Sequence, residues 1–458
     1  MVAFAAGAAF TANIHRVSLP SFDDCFYARK GVEMLERGFS FGVTWSGQPN
    51  HQNPPLPFWV LASSFRVFGE NDFAARLPSV LMALGILALA HRIGSELLDR
   101  DAALVGVGLL LVCPTFVQNA RRCMLEIPNA FWVTLALCIA LESRRRPRLG
   151  AWLAVPLAAA LLTKSLLGLL PLLVVGAFAL HPDGRRLAAN RWLVSGALLG
   201  VLAGCSWPVQ QGSTEGWDVV RSHFLGEIAG RALRPISFWG AVTEYPKLML
   251  RHFEPVVLPG LLGARLALRG ARRADGGGRV FLALWALLPV VLFSFSSTRS
   301  MRYVFPILVP LSLLAADLFV ARWRRTAVTL ATRAVPALLL VVAALYWLRP
   351  SALTRDQNAP FKQAAADIQR LVPEGHDVPR WGPFARGFAN PFVWYGGRGL
   401  ARSDGESLDA VLAAARALPT PAFVTPRERL PALRDTGVAV RVLAELGDWV
   451  LVTPAPPS

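Results

Sequence analysis

Residues 129–163 read NAFWVTLALCIALESRRRPRLGAWLAVPLAAALLT, and they decide the fold. Two apolar runs, 129–142 and 151–163, flank a loop carrying Arg144, Arg145, Arg146 and Arg148. Apolar runs punctuated by short basic loops are the mark of membrane-crossing helices, because cytoplasmic loops retain an excess of Arg and Lys. Outward from this stretch the pattern repeats. Runs near 1–18, 77–93, 102–118, 129–142, 151–163, 165–180, 192–209, 252–264, 280–296, 303–320 and 334–349 predict a polytopic α-helical membrane protein with about eleven transmembrane helices.

Sidedness follows from the loops. Loops 142–150, 181–191, 264–279 and 321–333 together hold sixteen Arg against three acids, Glu142, Asp183 and Asp275. All four fall on one side of an eleven-span arrangement, which is then cytoplasmic and places the N-terminus inside and the C-terminus outside. Loop 92–101 is mixed and does not discriminate. The opening run, Val2 to Ile14, is short for a span and has neither a basic leader nor a small-residue cleavage site; either its helix extends to Leu19 or the assigned start codon is misplaced.

Composition agrees. Of the 458 residues, 54% are hydrophobic and 17% charged, well below the quarter or so usual in soluble domains. A net charge of +17 in a soluble protein would suggest nucleic acid. Here most Arg lies between apolar runs, so the partner is the bilayer and no nucleic acid is expected. The five Cys, at 25, 113, 123, 138 and 205, form no CxxC or Cys/His cluster, which leaves a zinc ribbon unsupported. Cys25 and Cys123 both fall on the outer side, where a bridge between them is open.

The outer side receives a first loop, 19–76, shorter loops at 119–128 and 297–302, a longer one at 210–251, and the tail. The division is therefore a transmembrane domain over 1–349 and a small soluble α/β domain over 350–458. That tail offers amphipathic stretches, Pro360 to Leu371 and Leu408 to Leu418, and strand-like runs, Pro421 to Thr425, Val438 to Leu443 and Trp449 to Thr453.

Charged residues on the outer side form the candidate site. Asp23 and Asp24 open a helical stretch closed by Gly38; they read as a helix cap or as a general base. Asn53-Pro54-Pro55-Leu56-Pro57 reads as an extended, stiff segment. Arg121-Arg122-Cys123-Met124-Leu125-Glu126 places two Arg against the positive-inside trend, and Glu126 reads as a cap or a second active-site acid. Lys164, one of only four Lys, sits between two apolar runs and either snorkels or meets an anion. Arg299, Arg302 and Tyr303 either anchor headgroups or bind phosphate, which the guanidinium fork fits.

The ordered set Asp23-Asp24-x-x-Tyr27-Ala28, Pro54-Pro55-Leu56-x-x-Trp59, Phe68-Gly69, Arg76-Leu77-Pro78 and Met124-Leu125-Glu126 resembles the bacterial dolichyl-phosphate-mannose–protein mannosyltransferase-like family. That family includes the aminoarabinose transferases and has the GT-C architecture. The resemblance continues through Leu162-Thr163-Lys164, Glu227-x-x-x-Arg231, Phe238-Trp239 and Arg299-x-x-x-Tyr303, covering about residues 20–320. It implies an inner-membrane glycosyltransferase with a periplasmic active site. The donor is a sugar on a polyprenyl phosphate, and the acceptor is a lipid, glycan or protein. Asp23 is the implied base of an inverting attack on C1, with Asp24 and Glu126 as companion acids. Lys164, Arg231 and Arg299 match basic positions for the lipid phosphate; Arg302 is added for its proximity. No cofactor is demanded, and a divalent ion held by Asp24 and Glu126 stays open.

Three departures from the pattern stand out. Glu126 replaces a common Asp, Asn53 stands where aminoarabinose transferases carry Lys, and Lys164-Ser165 replaces a common Lys-Gly. A transporter or flippase of a lipid-linked or anionic solute is the alternative reading, and a catalytically silent membrane scaffold a third. The predicted sidedness is directly testable: a cytoplasm-active reporter fused after Leu149 is expected to be active and one fused after Met124 silent. The reverse pattern would overturn the orientation.

Overall fold

The computed structural model describes all residues except 21, 224–237, 272–275, 298, 354–355, 384–385, 402–406 and 455–458. Its first part consists of helices α1 (Val2–Thr11), α2 (Phe22–Glu36), α3 (Leu56–Phe68), α4 (Asp72–Leu97), α5 (Arg100–Val112), α6 (Pro114–Ala120), α7 (Glu126–Glu142), α8 (Ala154–Lys164) and α9 (Leu170–Phe178). Five continuous helical segments among the described residues are long and apolar enough to cross a bilayer: Asp72–Leu97, Pro147–Phe178, Arg191–Glu215, Gly277–Ser294 and Met301–Leu348. The α5–α6 pair makes a sixth, bent by 74°. The bend falls where Cys113 is extended ahead of Pro114, a residue that offers no N–H and disfavours helix at its predecessor. The chain is a multi-pass membrane protein.

Two of these segments are not straight rods. Met301–Leu348 has 48 residues, about 72 Å of helix against a hydrocarbon core of about 30 Å. It breaks inside at Trp323 (φ −141°, ψ 47°). The stretch 321–333, expected as a loop, is thus helical with a break, and its Arg324 is held by Asp99 (2.8 Å) and Asp101 (2.6 Å). Pro147–Phe178 folds back at Lys164 and Ser165, since a Cβ on Gly168 would collide with the Leu161 backbone.

Contacts gather the Arg-rich stretches at one end of the bundle. Arg145 pairs with Glu96 (2.9 Å) and Arg92 with Glu142. Asn190 donates to the Pro147 carbonyl (3.1 Å), and the His181 ring lies 3.0 Å from the Ala271 carbonyl. Three of the four loops that the sequence assigned to a common side meet here, and the fourth, 321–333, reaches the same end through Arg324 and the 92–101 loop.

The expected extension of α1 to Leu19 does not occur. The helix ends at Thr11, followed by turns with Asn13 at φ 55°. Arg121 donates to the carbonyls of Ala9, Phe10 and Ala12, and Arg76 to those of Ile14, Val17 and Ser18. Side chains therefore satisfy the carbonyls that a continued helix would have used. The Pro54–Pro57 stretch also differs from expectation: Pro55 is the N-cap of α3 and Pro57 lies in its first turn, where the missing N–H costs nothing.

The strand-like runs of the tail form a three-stranded antiparallel sheet, ordered β3 (Phe423–Pro426), β5 (Trp449–Pro454), β4 (Val440–Leu446); a small hairpin, β1 (Thr44–Trp45) and β2 (Gln48–Pro49), lies in the first loop. Both amphipathic stretches are helical, at Ala359–Leu371 and Leu408–Arg416. One apolar core joins the first loop to the tail, running from Cys25, Phe58 and Phe65 to Ile368, Phe388 and Trp449. Within it α2 and α3 approach closely at Gly31, whose Cβ would lie 2.6 Å from that of Leu61. Asp72, 4% exposed, ties the same elements through Lys362 (2.6 Å), Trp394 (3.2 Å) and Tyr395 (3.0 Å).

Ser165 takes φ 50° and ψ −130°, a region open to Gly and strained for any residue with a Cβ. Ser165→Gly is expected to raise stability by about 1 kcal/mol, read as a higher melting temperature in detergent. An unchanged or lower value would refute the strain.

Candidate active site

Helix ends build the site, at the end of the bundle away from the Arg-rich stretches. Asp23 lies in the first turn of α2 and Glu126 in the first turn of α7, where the helix dipole favours carboxylates. Lys164 closes α8, the end that favours a cation. Arg302 lies in the short helix Met301–Val304 that leads into the last long segment. The four come from stretches as far apart as residues 23 and 302, and they meet. Arg302 Nη2 lies 2.8 Å from Asp23 Oδ2, and its Nε lies 3.8 Å from Glu126 Oε1. Lys164 Nζ lies 3.1 Å from the same Glu126 oxygen and 3.4 Å from the Arg302 carbonyl.

Exposure separates the members. The Glu126 side chain is 5% exposed and Lys164 13%, whereas Arg302 is 44% exposed. Glu126 is thus a buried charge kept by two cations, and Arg302 is an accessible arm that spans both acids. Tyr27, one helical turn beyond Asp23, is half-buried beside them. Burial, then the Glu126 and Asp23 carboxylates, push its pKa up, so it stays a phenol and keeps its O–H.

Asp24 faces elsewhere. Its carboxylate is fully buried, accepts from Arg122 Nη2 (2.7 Å) and Nε (3.2 Å), and takes the Cys123 backbone N–H (2.9 Å). It ties α2 to the loop before α7. This explains Arg122, which the charge rule left odd. The acids proposed as metal ligands, Asp24 and Glu126, are engaged by different cations, and among the described residues no three His, Cys, Asp or Glu side chains cluster. Cys25 and Cys123 are buried free thiols in one core, with pKa values raised chiefly by burial.

Arg299 lies three residues before Arg302. Its Nε and Nη2 are buried with no hydrogen-bond partner among the described residues, an expensive state for a guanidinium unless an anion meets it. Tyr303 packs on Phe293, with ring centroids 5.5 Å apart. Arg231 lies outside the described residues, as do Glu227 and the side chain of Phe238.

The sequence reading did not single out Tyr27 or Lys30 as site residues. The helical spacing of Tyr27 from Asp23 was the available signal for the first. Lys30 is 1% exposed and donates to Asn50 Oδ1 (2.7 Å) and Asn53 Oδ1 (3.4 Å), with its ammonium 4.0 Å from the Phe26 ring centroid. Burial pulls its pKa down. An ammonium thus reaches position 53 from α2, although the residue there is Asn. Beside these groups a cavity of about 630 Å³ opens between the first loop and the tail, lined by Asp23, Phe26, Trp45, Asn50, Arg380 and Asn390 among others.

Residues 52–209 match the family described as dolichyl-phosphate-mannose-protein mannosyltransferase. The chain is 29% identical over 312 residues to undecaprenyl phosphate-alpha-4-amino-4-deoxy-L-arabinose arabinosyl transferase 1 of Pseudomonas fluorescens, covering 66% of this chain and 55% of that protein. It is 30% identical over 323 residues to the corresponding transferase of Pseudomonas aeruginosa, covering 66% and 56%. The chain thus spans little more than half the length of these relatives. In fold it is similar to the crystal structure of ArnT from Cupriavidus metallidurans bound to undecaprenyl phosphate, with TM-score 0.73 and 18% identity, over 98% of this chain and 96% of that one. It is also similar to the archaeal oligosaccharyltransferase AglB of Archaeoglobus fulgidus, with TM-score 0.57 and 12% identity, over 93% and 69%. The chain is thus similar in sequence to the aminoarabinose transferases, matches the dolichyl-phosphate-mannose-protein mannosyltransferase family over residues 52–209, and has the GT-C membrane fold.

Proposed function

We propose that this protein is a membrane glycosyltransferase that moves a sugar from a polyprenyl phosphate to an acceptor hydroxyl or phosphate at the periplasmic face of the inner membrane. The carrying observation is the meeting of Asp23 and Glu126 with Lys164 and Arg302 at one end of the bundle. The relatives named for undecaprenyl-phosphate-linked aminoarabinose support a donor of that class. Eleven crossings put the N-terminus in the cytoplasm and residues 350–458 in the periplasm as a small α/β domain.

In the resting site Arg302 covers the Asp23 carboxylate. A donor phosphate entering beside Lys164 and Arg299 competes for Arg302 and uncovers Asp23. Lys164, Arg299, Arg302 and, from its position in the family pattern, Arg231 then bind the phosphate, with Tyr303 flanking. The acceptor oxygen attacks C1 of the sugar while the C1–O bond to phosphate breaks on the opposite face, which inverts the centre. The acceptor proton passes to Asp23, and the polyprenyl phosphate leaves with the electron pair, its growing charge met by the fixed cations. Glu126 holds Lys164 and Arg302 in place, and Asp24 orients α2 through Arg122. A transporter is disfavoured because the charged groups collect at one end and not at a midplane between paired repeats.

Asp23→Asn is expected to lower kcat by roughly 10³-fold with donor binding and melting temperature retained, measured in proteoliposomes with a polyprenyl-phosphate sugar. Transfer at the native rate would remove Asp23 as the base. Asp24→Ala is expected to act differently, destabilising the fold by roughly 3 kcal/mol because Arg122 loses a buried partner; equal melting of the two variants would contradict the division of roles. Lys164→Met is expected to weaken donor binding by about 10–100-fold, as loss of one charge-assisted contact does, and unchanged affinity in a lipid-phosphate binding assay would exclude it from the donor site.

A further inference from the structure

A second cationic cavity lies apart from Asp23. Its volume is about 340 Å³, and it is lined by Arg76, Arg121, Arg122, Gln118, Gln357 and Tyr346, with four apolar residues and, among the described residues, no carboxylate. Its walls come from the turns after α1, the first turns of α4, the end of α6 with the loop after it, the last turn of the helix Val335–Leu348, and Leu353 and Gln357 beyond that helix.

The guanidiniums are held rigidly. Arg76 donates to three carbonyls and Arg121 to three more, as described above, and Arg121 stacks 3.6 Å above the Tyr346 ring. Neither forms an ion pair with a carboxylate among the described residues. Arg76 is 3% exposed, and its Nε has no hydrogen-bond partner among the described residues. Arg122 reaches the cavity from the other side while holding Asp24. Burial lowers the Arg121 pKa to about 10, with Tyr346 opposing and the like charge of Arg76 adding to it. It remains charged at neutral pH, and an anion between the two arginines would relieve both effects. Exposed Trp347 and Leu348 lie directly beyond Tyr346, and α1 exposes Phe4, so the cavity adjoins lipid-facing surface.

We propose that this cavity binds a phosphate group, carried by an anionic phospholipid of the outer leaflet, at a site separate from the donor phosphate. The guanidiniums and the two glutamine amides supply positive charge and hydrogen-bond donors suited to a phosphate's several oxygens. Because Arg122 serves both the cavity and Asp24, occupancy bears on the position of α2.

The full chain in detergent is incubated with phosphatidylglycerol, with diacylglycerol of the same acyl chains, or with phosphatidylglycerol plus inorganic phosphate, and retained lipid is measured by native mass spectrometry. Phosphatidylglycerol is expected to be retained about tenfold more than diacylglycerol, the size of effect that one to two charge-assisted bonds give. Gln118 and Gln357 are exposed and stand at the mouth. The double variant Gln118→Glu/Gln357→Glu should lose the preference, Gln118→Met should keep it, and Lys164→Met, altered only at the donor site, should keep it. Displacement by inorganic phosphate assigns recognition to the phosphate alone; retention in its presence assigns a share to the acyl chains. The proposal is overturned if phosphatidylglycerol binds no better than diacylglycerol, if the preference survives the double substitution, or if Lys164→Met abolishes it.

Discussion

Glu126 is the constraint around which the outer end of the bundle is arranged. A carboxylate buried at the start of a membrane helix is tolerated only when cations are brought to it. Lys164 and Arg302 meet that demand from the end of α8 and from the start of the last long segment. Arg302 then extends the network to Asp23 on α2. The electrostatic need of one side chain therefore fixes the mutual position of three membrane helices and one interfacial helix. Removing it would leave Lys164 and Arg302 close together with no anion between them, so one group organises this end of the fold.

Adjacent residues on a helix point about 100° apart, and Asp23 with Asp24 illustrates what that achieves. Asp24 points into the protein and is used up by Arg122 and a backbone amide. Asp23 points to the cavity and, among the described residues, is held by an arm that is nearly half exposed. Two chemically identical groups acquire different duties from burial alone. The dipeptide in the sequence could be read as cap or as base; Asp24 instead ties α2 to Arg122 and the Cys123 amide, while Asp23 is left beside the cavity.

The membrane character was legible because the bilayer imposes a simple rule on composition along the chain: apolar runs cross it and Arg collects on one side. The helix and strand patterns of the tail were legible for a related reason, since each repeats on a fixed period within a few residues. What escaped is long-range. The helix Arg386–Gly396, with Asn390 and Pro391 inside it, has the composition of a loop and owes its place to packing on α2. The early end of α1 depends on Arg76 and Arg121, more than fifty residues away. The helical start after Pro55 lost to a reading of prolines as extended chain. The ammonium of Lys30 at Asn53 is invisible to any motif, because a motif records which residue occupies a position and not which side chain reaches it.

The apolar core that runs without interruption from Cys25 and Phe58 to Phe388 and Trp449 carries a lesson for engineering. Grafting the C-terminal part of a relative onto this bundle would replace half of that core and leave the other half facing unfamiliar side chains. The helix that bears Asp23 is one wall of the seam. An exchange of the tail would therefore disturb the position of Asp23 unless the first loop travelled with it, and stable chimeras should join at the membrane helices between them.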